Sequence, residues 1–284
     1  MSITSYTDPQ AFLNQARAYL ERNEAATALI LGMTLRMAEH GFKEQPYLAV
    51  AESPAGIELA AMMTPPHRLV LWSEQPTPDQ ALAELAGDLH EHGWAIAGAL
   101  GPPHLAEPFL ERWQALTGQQ SRLSMRERIY ELTAVIPPDR PAPGRIRAAG
   151  PDDRELAIRW FWEFYTEALA DDPAPQVEEI VDRRLADHSL FLWEDGQPVA
   201  MAGCFRETSR SSTISLVYTP PESRRRGYAM ALVAALSQQR LDAGKQFCTL
   251  FTDLANPTSN SIYQQIGYRP VCDFNAYDME KAKG

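Results

Sequence analysis

Along this chain the hydrophobic positions alternate between a helical and a strand period, and the sequence of switches occurs twice. From Pro9 to about Glu21, and again from Ala25 to His40, apolar residues recur at helical spacing. In the second run Ala26, Leu29, Ile30, Met33 and Met37 share a face, and Gly41 ends it. Tyr47 to Ala51 and Ile57 to Met63 read as a hairpin about Pro54-Ala55-Gly56, followed by a strand from Leu69 to Trp72. Thr77-Pro78-Asp79-Gln80 has the form of a capping box with proline at the first helical position, opening a helix that Gly93 closes. Trp94 to Ala99 is predicted as a strand. Leu105, Phe109, Trp113 and Leu116 mark a helix closed by Gly118, and Ile129 to Ile136 is a further strand.

After Arg145 the order returns. Pro151-Asp152 leads into a helix with Leu156, Trp160, Phe164 and Ala168 on one face, and a second helical stretch runs from about Gln176 to Asp187. Ser189 to Trp193 and Pro198 to Phe205 form a hairpin about Asp195-Gly196. Thr213 to Tyr218 is a strand, Tyr228 to Ala243 a helix stopped by Gly244, and Phe247 to Thr252 a strand. Asn256-Pro257 opens the last helix, with Asn as N-cap and Pro at the first helical position. Gly267 ends it, and short strands reach Met279. Both halves thus show helices, hairpin, strand, helix, strand, helix, strand. Between them Pro137-Pro138-Asp139-Arg140-Pro141-Ala142-Pro143-Gly144 places four prolines and a glycine in eight residues, which neither a helix nor a central strand tolerates. The expected organisation is one domain over 1–136, a linker over 137–144 and a second domain over 145–284, an α/β arrangement with a mixed sheet in each half.

Composition narrows the function classes. A length of 284 residues and 45% apolar content suit two well-packed domains. The net charge of −11 argues against nucleic acid, whose phosphates need clustered Lys and Arg. It weakly favours a cationic partner, although a solvated acidic surface is the better explanation. Cys204, Cys248 and Cys272 are odd in number and lack a C-x-x-C pair, so neither a disulfide framework nor a metal site is expected. Cys204 and Cys248 sit in apolar strand-like runs and read as buried thiols. No signal-peptide pattern and no apolar run long enough to cross a membrane is present, so a cytoplasmic setting without membrane association is expected.

The halves differ at one place. After the strand ending at Tyr218 the chain runs through Thr219-Pro220-Pro221-Glu222-Ser223 into Arg224-Arg225-Arg226-Gly227-Tyr228-Ala229 and then a helix. The matching segment of the first half, Ser73-Glu74-Gln75-Pro76, has neither glycine nor cation. A helix N-terminus is already partly positive, so each cation beside it is disfavoured by roughly 0.3–1 kcal/mol unless an anion is present. Free backbone amides at the helix start, with a glycine that lets a bulky ligand approach, make a cradle for a diphosphate. A solvated basic turn is the alternative.

The spacing R-x-x-G-x-A (Arg224, Gly227, Ala229) after a strand, followed one strand later by Asn256-Pro257-Thr258-Ser259-Asn260-Ser261-Ile262-Tyr263-Gln264-Gln265-Ile266-Gly267-Tyr268, resembles the GCN5-related N-acetyltransferase (GNAT) family. The resemblance covers about Arg145 to Met279. The first half resembles the fold only in element order, as a degenerate repeat without either motif. The implied architecture is a tandem GNAT-like fold, and the implied activity is acetyl transfer from acetyl-CoA to a primary amine of a small molecule or peptide. By the same resemblance Val217, Tyr218 and Thr219 pair through their backbone with the pantetheine arm as if it were an added strand. Arg224, Arg225, Arg226, Gly227, Tyr228, Ala229 and Met230 hold the pyrophosphate, Asn256 and Asn260 lie near the pantetheine and thiol, and Tyr263 protonates the departing sulfur. Each has a plainer reading: Asn256 as N-cap, Tyr263 as a buried core tyrosine, Tyr218 as a strand aromatic.

The amine must also lose a proton, and the strand from Thr213 to Tyr218 carries no acid, a departure from the family pattern. Asp253 and Glu207 are the candidates, and the tetrahedral oxyanion is expected to meet the backbone N–H of Val217 or Tyr218. The missing strand acid keeps a second reading open, a non-catalytic acyl-CoA-binding or sensing protein. A nucleotide-phosphate enzyme is disfavoured because neither G-x-x-x-x-G-K-[ST] nor G-x-G-x-x-G occurs. The first half, with the aromatic helix carrying Trp160, Phe161, Trp162, Phe164 and Tyr165, is expected to shape the acceptor cleft. Core packing is the alternative for most of these aromatics.

Overall fold

The computed structural model describes residues 1–168 and 175–280. In the first half of the sequence the elements are β1 (Ser2–Tyr6), α1 (Pro9–Leu20), α2 (Glu24–His40), β2 (Tyr47–Ser53), β3 (Gly56–Met63), β4 (Leu69–Trp72), α3 (Asp79–Glu91), β5 (Gly98–Gly101), α4 (Pro103–Thr117) and β6 (Ser121–Leu132). In the second they are β7 (Arg145–Ala148), α5 (Arg154–Ala168), α6 (Val177–Ala186), β8 (Leu190–Asp195), β9 (Gln197–Phe205), β10 (Ser211–Tyr218), α7 (Tyr228–Asp242), β11 (Phe247–Asp253), α8 (Pro257–Gln265) and β12 (Arg269–Met279). Among the described residues no helix is long and apolar enough to cross a membrane.

Packing divides the chain into two compact units that do not follow the halves of the sequence at their ends. Unit 1 takes Met1–Ile129, Asp253–Ala255 and the chain from Val271 on, and unit 2 takes Tyr130–Thr252 and Asn256–Pro270. In unit 1 the strands run β1-β2-β3-β4-β5-β12. β4 and β5 are parallel, with Leu69 opposite Ala99 and Val70 opposite Leu100. The final strand lies antiparallel on β5, Asn275 opposite Gly101 and Asp278 opposite Gly98. A Cβ on Gly98 would stand 1.8 Å from the Tyr277 carbonyl oxygen, so this close approach requires glycine. Strand alternation sorts the core of unit 1. Tyr47, Ala49 and Ala51 pack with Leu82, Leu85, Phe109 and Trp113 of α3 and α4, whereas Met62 meets Thr34 of α2.

Unit 2 repeats the plan, with the Tyr130–Leu132 end of β6 followed by β11-β10-β9-β8-β7. On β8, Phe191 and Trp193 face the core of α7 and α8, while Leu190 and Leu192 face that of α5 and α6. Cys204 and Cys248 are buried free thiols.

Several expectations shift. The hydrophobic pattern omits β1 and β7, which are short edge strands with exposed positions on both faces; β1 pairs with β2 and β7 with β8. β5 starts at Gly98, and Trp94 instead packs edge-on against Tyr47 at 5.3 Å. β6 begins at Ser121 and stops at Leu132. No side chain caps α3, so Thr77 and Gln80 do not form the expected box, and Leu116 of α4 is exposed. The short terminal strands are one strand, β12, placed in unit 1.

Candidate functional site

The site region of unit 2 begins where two parallel strands part. β10 and β11 pair at Ser211/Phe247, Ser212/Cys248 and Thr213/Thr249, and the register goes no further. On its other side β10 slips against β9 between Ser215 and Tyr218, so that Ser215 faces Gly203 and Tyr218 faces Met201. This bulge puts Leu216 at φ 55°, a left-handed conformation that costs a side-chain-bearing residue about 1–2 kcal/mol. Its effect is a change of face. Before it, Ile214 packs in the α7/α8 core; after it, Leu216 and Tyr218 pack in the α5/α6 core while Val217 turns to the α7/α8 side. The backbone from Val217 to Thr219 is thus displaced from regular pairing with β11, leaving an edge that an extended ligand can join.

The Tyr218 ring lies beside Trp160 of α5, 6.2 Å between centroids. Burial, and then the Glu163 carboxylate next to its hydroxyl, push the Tyr218 pKa up to about 12. Trp160, Glu163 and Glu167 follow helical spacing on the face of α5 turned to β10.

Next comes the arginine turn. Gly227 stands at φ 81° as the residue before α7, and a Cβ there would meet only Ala142, at 3.8 Å. The first helical hydrogen bond runs from Ala231 N–H to the Gly227 carbonyl, 3.0 Å. Among the described residues, the amides from Arg225 to Met230 have no internal acceptor. Thr219 Oγ1 is buried without a partner at the head of the turn. Unpaired donors, an orphaned hydroxyl and open space over a glycine fit a phosphorylated ligand.

The three arginines are not equivalent. Arg224 donates from Nε to the Thr219 carbonyl (2.8 Å) and from Nη2 to both carboxylate oxygens of Glu167 (2.8 and 2.7 Å). Arg226 lies over the Tyr228 ring and 3.8 Å from Asp195, which also accepts from the Tyr228 hydroxyl at 2.5 Å. Arg225, at φ 60°, has no partner among the described residues. The expectation that three cations here need an external anion is therefore corrected. Glu167 and Asp195 supply two anions internally, and one arginine is left for a ligand. Neither acid carries a local sequence signal tying it to the turn, although Asp195 is visible as the residue before the Gly196 hairpin.

The second motif helix, α8, is capped as expected: Asn256 Oδ1 accepts from the Ser259 amide at 3.0 Å. Asn260 donates from Nδ2 to the Asn256 carbonyl at 2.7 Å and accepts on Oδ1 from the Tyr130 hydroxyl at 3.0 Å. Tyr263 is buried against Tyr268, ring centroids 6.0 Å apart. Burial pushes its hydroxyl up to about 12, against a smaller opposing effect of the Ser259 hydroxyl.

Of the two proposed bases, Glu207 is misplaced. It accepts from Ser212 at 2.9 Å and pairs with Lys245 at 3.2 Å and Arg240 at 3.6 Å, at the opposite end of β10 from the bulge. Burial works against its charge, but the Ser212 hydroxyl and the two cations hold its carboxyl below the usual range. At about 3.3 Å per strand residue, the six steps from Ser212 to Tyr218 put it roughly 20 Å away. Asp253 ends β11 and accepts from the Ala255 amide at 2.8 Å, shaping the turn into α8.

Comparison with known proteins agrees with this fold. Residues 192–276 match the family model of FR47-like protein. A GCN5-related N-acetyltransferase from Kribbella flavida shares the fold at TM-score 0.59 and 18% identity, over 92% of this chain and 96% of that one. One from Sphaerobacter thermophilus gives TM-score 0.59 at 15% identity, over 98% and 95%. A GNAT-family acetyltransferase from Colwellia psychrerythraea gives 0.55 at 14%, over 99% and 100%. No curated protein matches the chain in sequence. The chain has the GNAT fold over nearly its whole length, with the FR47-like match in its second half.

Proposed function

We propose that unit 2 transfers an acetyl group from acetyl-CoA to a primary amine of a small molecule or peptide. The observation that carries this reading is the conjunction of the bulged, splayed end of β10 with the unpaired amides that start α7. The pantetheine arm lies along Val217, Tyr218 and Thr219, and the diphosphate meets the amides from Arg225 to Met230 and the Arg225 guanidinium. The neutral amine attacks the thioester carbonyl. A C–N bond forms, the oxyanion is held by the backbone N–H of Val217 or Tyr218, the ammonium proton of the intermediate passes to solvent water, and the C–S bond then breaks to release the thiolate. A thiol has a pKa near 8.5, so the thiolate is a competent leaving group. Tyr263, pushed up to about 12, is a weaker acid than the thiol. Its hydroxyl therefore stabilises the departing sulfur by hydrogen bonding more than by complete proton transfer.

A second reading, binding without turnover, is favoured by one observation: no carboxylate lies on β10, whose residues run Ser-Ser-Thr-Ile-Ser-Leu-Val-Tyr. Calorimetric titration of the full chain with acetyl-CoA, followed by a thiol-release assay over a panel of amines, separates the two. Binding with release of coenzyme A upon addition of an amine is expected. Tight binding without release on any amine establishes the sensor, and no binding removes both.

A further inference from the structure

The arginine turn has little backbone bonding to hold its shape. Before it, the Ser223 amide donates to the Pro220 carbonyl at 2.9 Å and the Arg224 amide to the Pro221 carbonyl at 3.3 Å. After it, the first bond is that of the Ala231 amide to Gly227. In between, Arg225 at φ 60° and Gly227 at φ 81° are both left-handed. A side-chain-bearing residue keeps that conformation only where its surroundings enforce it. Side chains must therefore hold the turn from its two ends.

At the near end Arg224 is tied to Thr219 and Glu167. At the far end the tie is Tyr228, the first residue of α7. Its ring is buried in the α7/α8 core, and its hydroxyl donates to Asp195 Oδ2 at 2.5 Å. Asp195 ends β8 at the hairpin tip, opposite Gln197, and β8 is paired on both sides, with β7 and β9. The same carboxylate oxygen lies 3.8 Å from Arg226 Nη2, whose guanidinium covers the Tyr228 ring at 4.9 Å from its centroid. One acid thus engages both residues that flank Gly227. Ring packing alone does not call for the hydroxyl, since a phenylalanine fills the same space. The hydroxyl adds a fixed link from the start of α7 to a strand inside the sheet.

We propose that Asp195 is a positioning residue for the coenzyme site, fixing the first turn of α7 through the Tyr228 hydroxyl so that the amides around Gly227 keep the arrangement a diphosphate needs. Asp195 itself holds no phosphate. As an anion it repels one, so its net effect on binding is favourable only through the link it makes. The proposal rests on the reading of unit 2 as an acetyl-CoA site.

The test is calorimetric titration of the full chain with acetyl-CoA. Asp195→Ala is expected to raise the Kd about three- to tenfold, the range for one hydrogen bond. Asp195→Asn keeps an acceptor oxygen without the charge and is expected to stay within about twofold of wild type. Tyr228→Phe removes the same hydrogen bond without touching the hairpin, and is expected to match Asp195→Ala. In the Tyr228→Phe background, Asp195→Ala is expected to add less than about twofold, because the two residues act as one unit. If wild type binds acetyl-CoA and Tyr228→Phe binds it equally well, the positioning role is overturned while the site reading stands. The role is likewise overturned if Asp195→Asn is as damaging as Asp195→Ala, or if Asp195→Ala keeps its full effect in the Tyr228→Phe background. Tighter binding by both Asp195 variants overturns it too, leaving charge repulsion as the only action of this acid. If wild type does not bind, the site reading itself fails.

Discussion

Units 1 and 2 hold the same device in opposite electrical form. Each has a short parallel pair, β4/β5 or β10/β11, followed by a turn into a helix. In unit 1 the turn carries Glu74, held by Arg22 at 2.8 Å and by Asn23 at 2.6 Å, and α3 starts behind Pro78 with Asp79 in its first turn. In unit 2 it carries Arg224, held by Glu167, and α7 starts behind Gly227 with bare amides. An anion is repelled by the first arrangement and attracted by the second. Backbone strain follows the same division. His188, Arg206, Leu216 and Arg225, the non-glycine residues with positive φ among those described, all lie in unit 2. β4 pairs with β3 without the slip seen between β10 and β9. Conformational strain is retained where surrounding structure and function support it. A shared fold therefore does not imply a shared site, because a few residues at the end of one strand set the charge and the free backbone donors of the turn that follows.

The sharpest way to break this contrast is Gly227→Glu, which gives unit 2 the acidic turn of unit 1. A left-handed non-glycine residue costs about 1–2 kcal/mol, against a domain stability of about 5–15 kcal/mol, so the protein stays folded. Acetyl-CoA affinity is expected to fall more than about a hundredfold, as calorimetry will show, since both bulk and charge enter the cradle. Unchanged affinity would remove the diphosphate from this turn. Among the arginines, Arg225→Ala is expected to weaken binding about tenfold or more, the scale of a charged hydrogen bond. Arg224→Ala and Arg226→Ala, whose partners are internal carboxylates, are expected to cost less than about threefold each. A reversed ranking in the same titration would show that Glu167 or Asp195 releases its arginine to the ligand.

Tyr263→Phe should lower kcat about tenfold while acetyl-CoA affinity holds, consistent with a hydroxyl that assists departure without full proton transfer. Steady-state kinetics with an active amine read this directly, and an unaltered kcat would leave Tyr263 a core residue only. The smallest effect belongs to unit 1. Glu74→Arg places like charges beside Arg22, and a partly exposed pair of this kind contributes only about 0–1 kcal/mol. Denaturant unfolding should show a loss of about that size, and titration should still give one acetyl-CoA per chain. A stoichiometry of two would mean that charge alone had closed the site in unit 1.

The repeated element order was legible because hydrophobic period and helix punctuation are local. Asn256-Pro257 and Gly244 stand where the sequence puts them, and the turn proposed to hold a diphosphate is marked in the sequence by Arg224, Gly227 and Ala229. Other features have no local trace. β6 hides its length because Arg122, Arg126 and Arg128 interrupt its apolar pattern; Arg128 is neutralised by Asp273, 145 residues later, at 2.6 Å. The bulge at Leu216 is set by mismatch between β9 and β10, since leucine has no preference for positive φ. Tyr130 reads as one more strand aromatic until α8 is folded against it.

The placement of β12 bears on biosynthesis. As the chain emerges from the ribosome, unit 1 has β1 to β5 available early, but the strand that covers the outer edge of β5 is translated only after β7 to α8 of unit 2. Until then that edge presents unpaired amides and carbonyls, the kind of surface that nascent chains use to stick to one another. Native closure of unit 1 is thus postponed until β12 arrives, and removal of the stretch after Pro270 should harm the unit that was begun first.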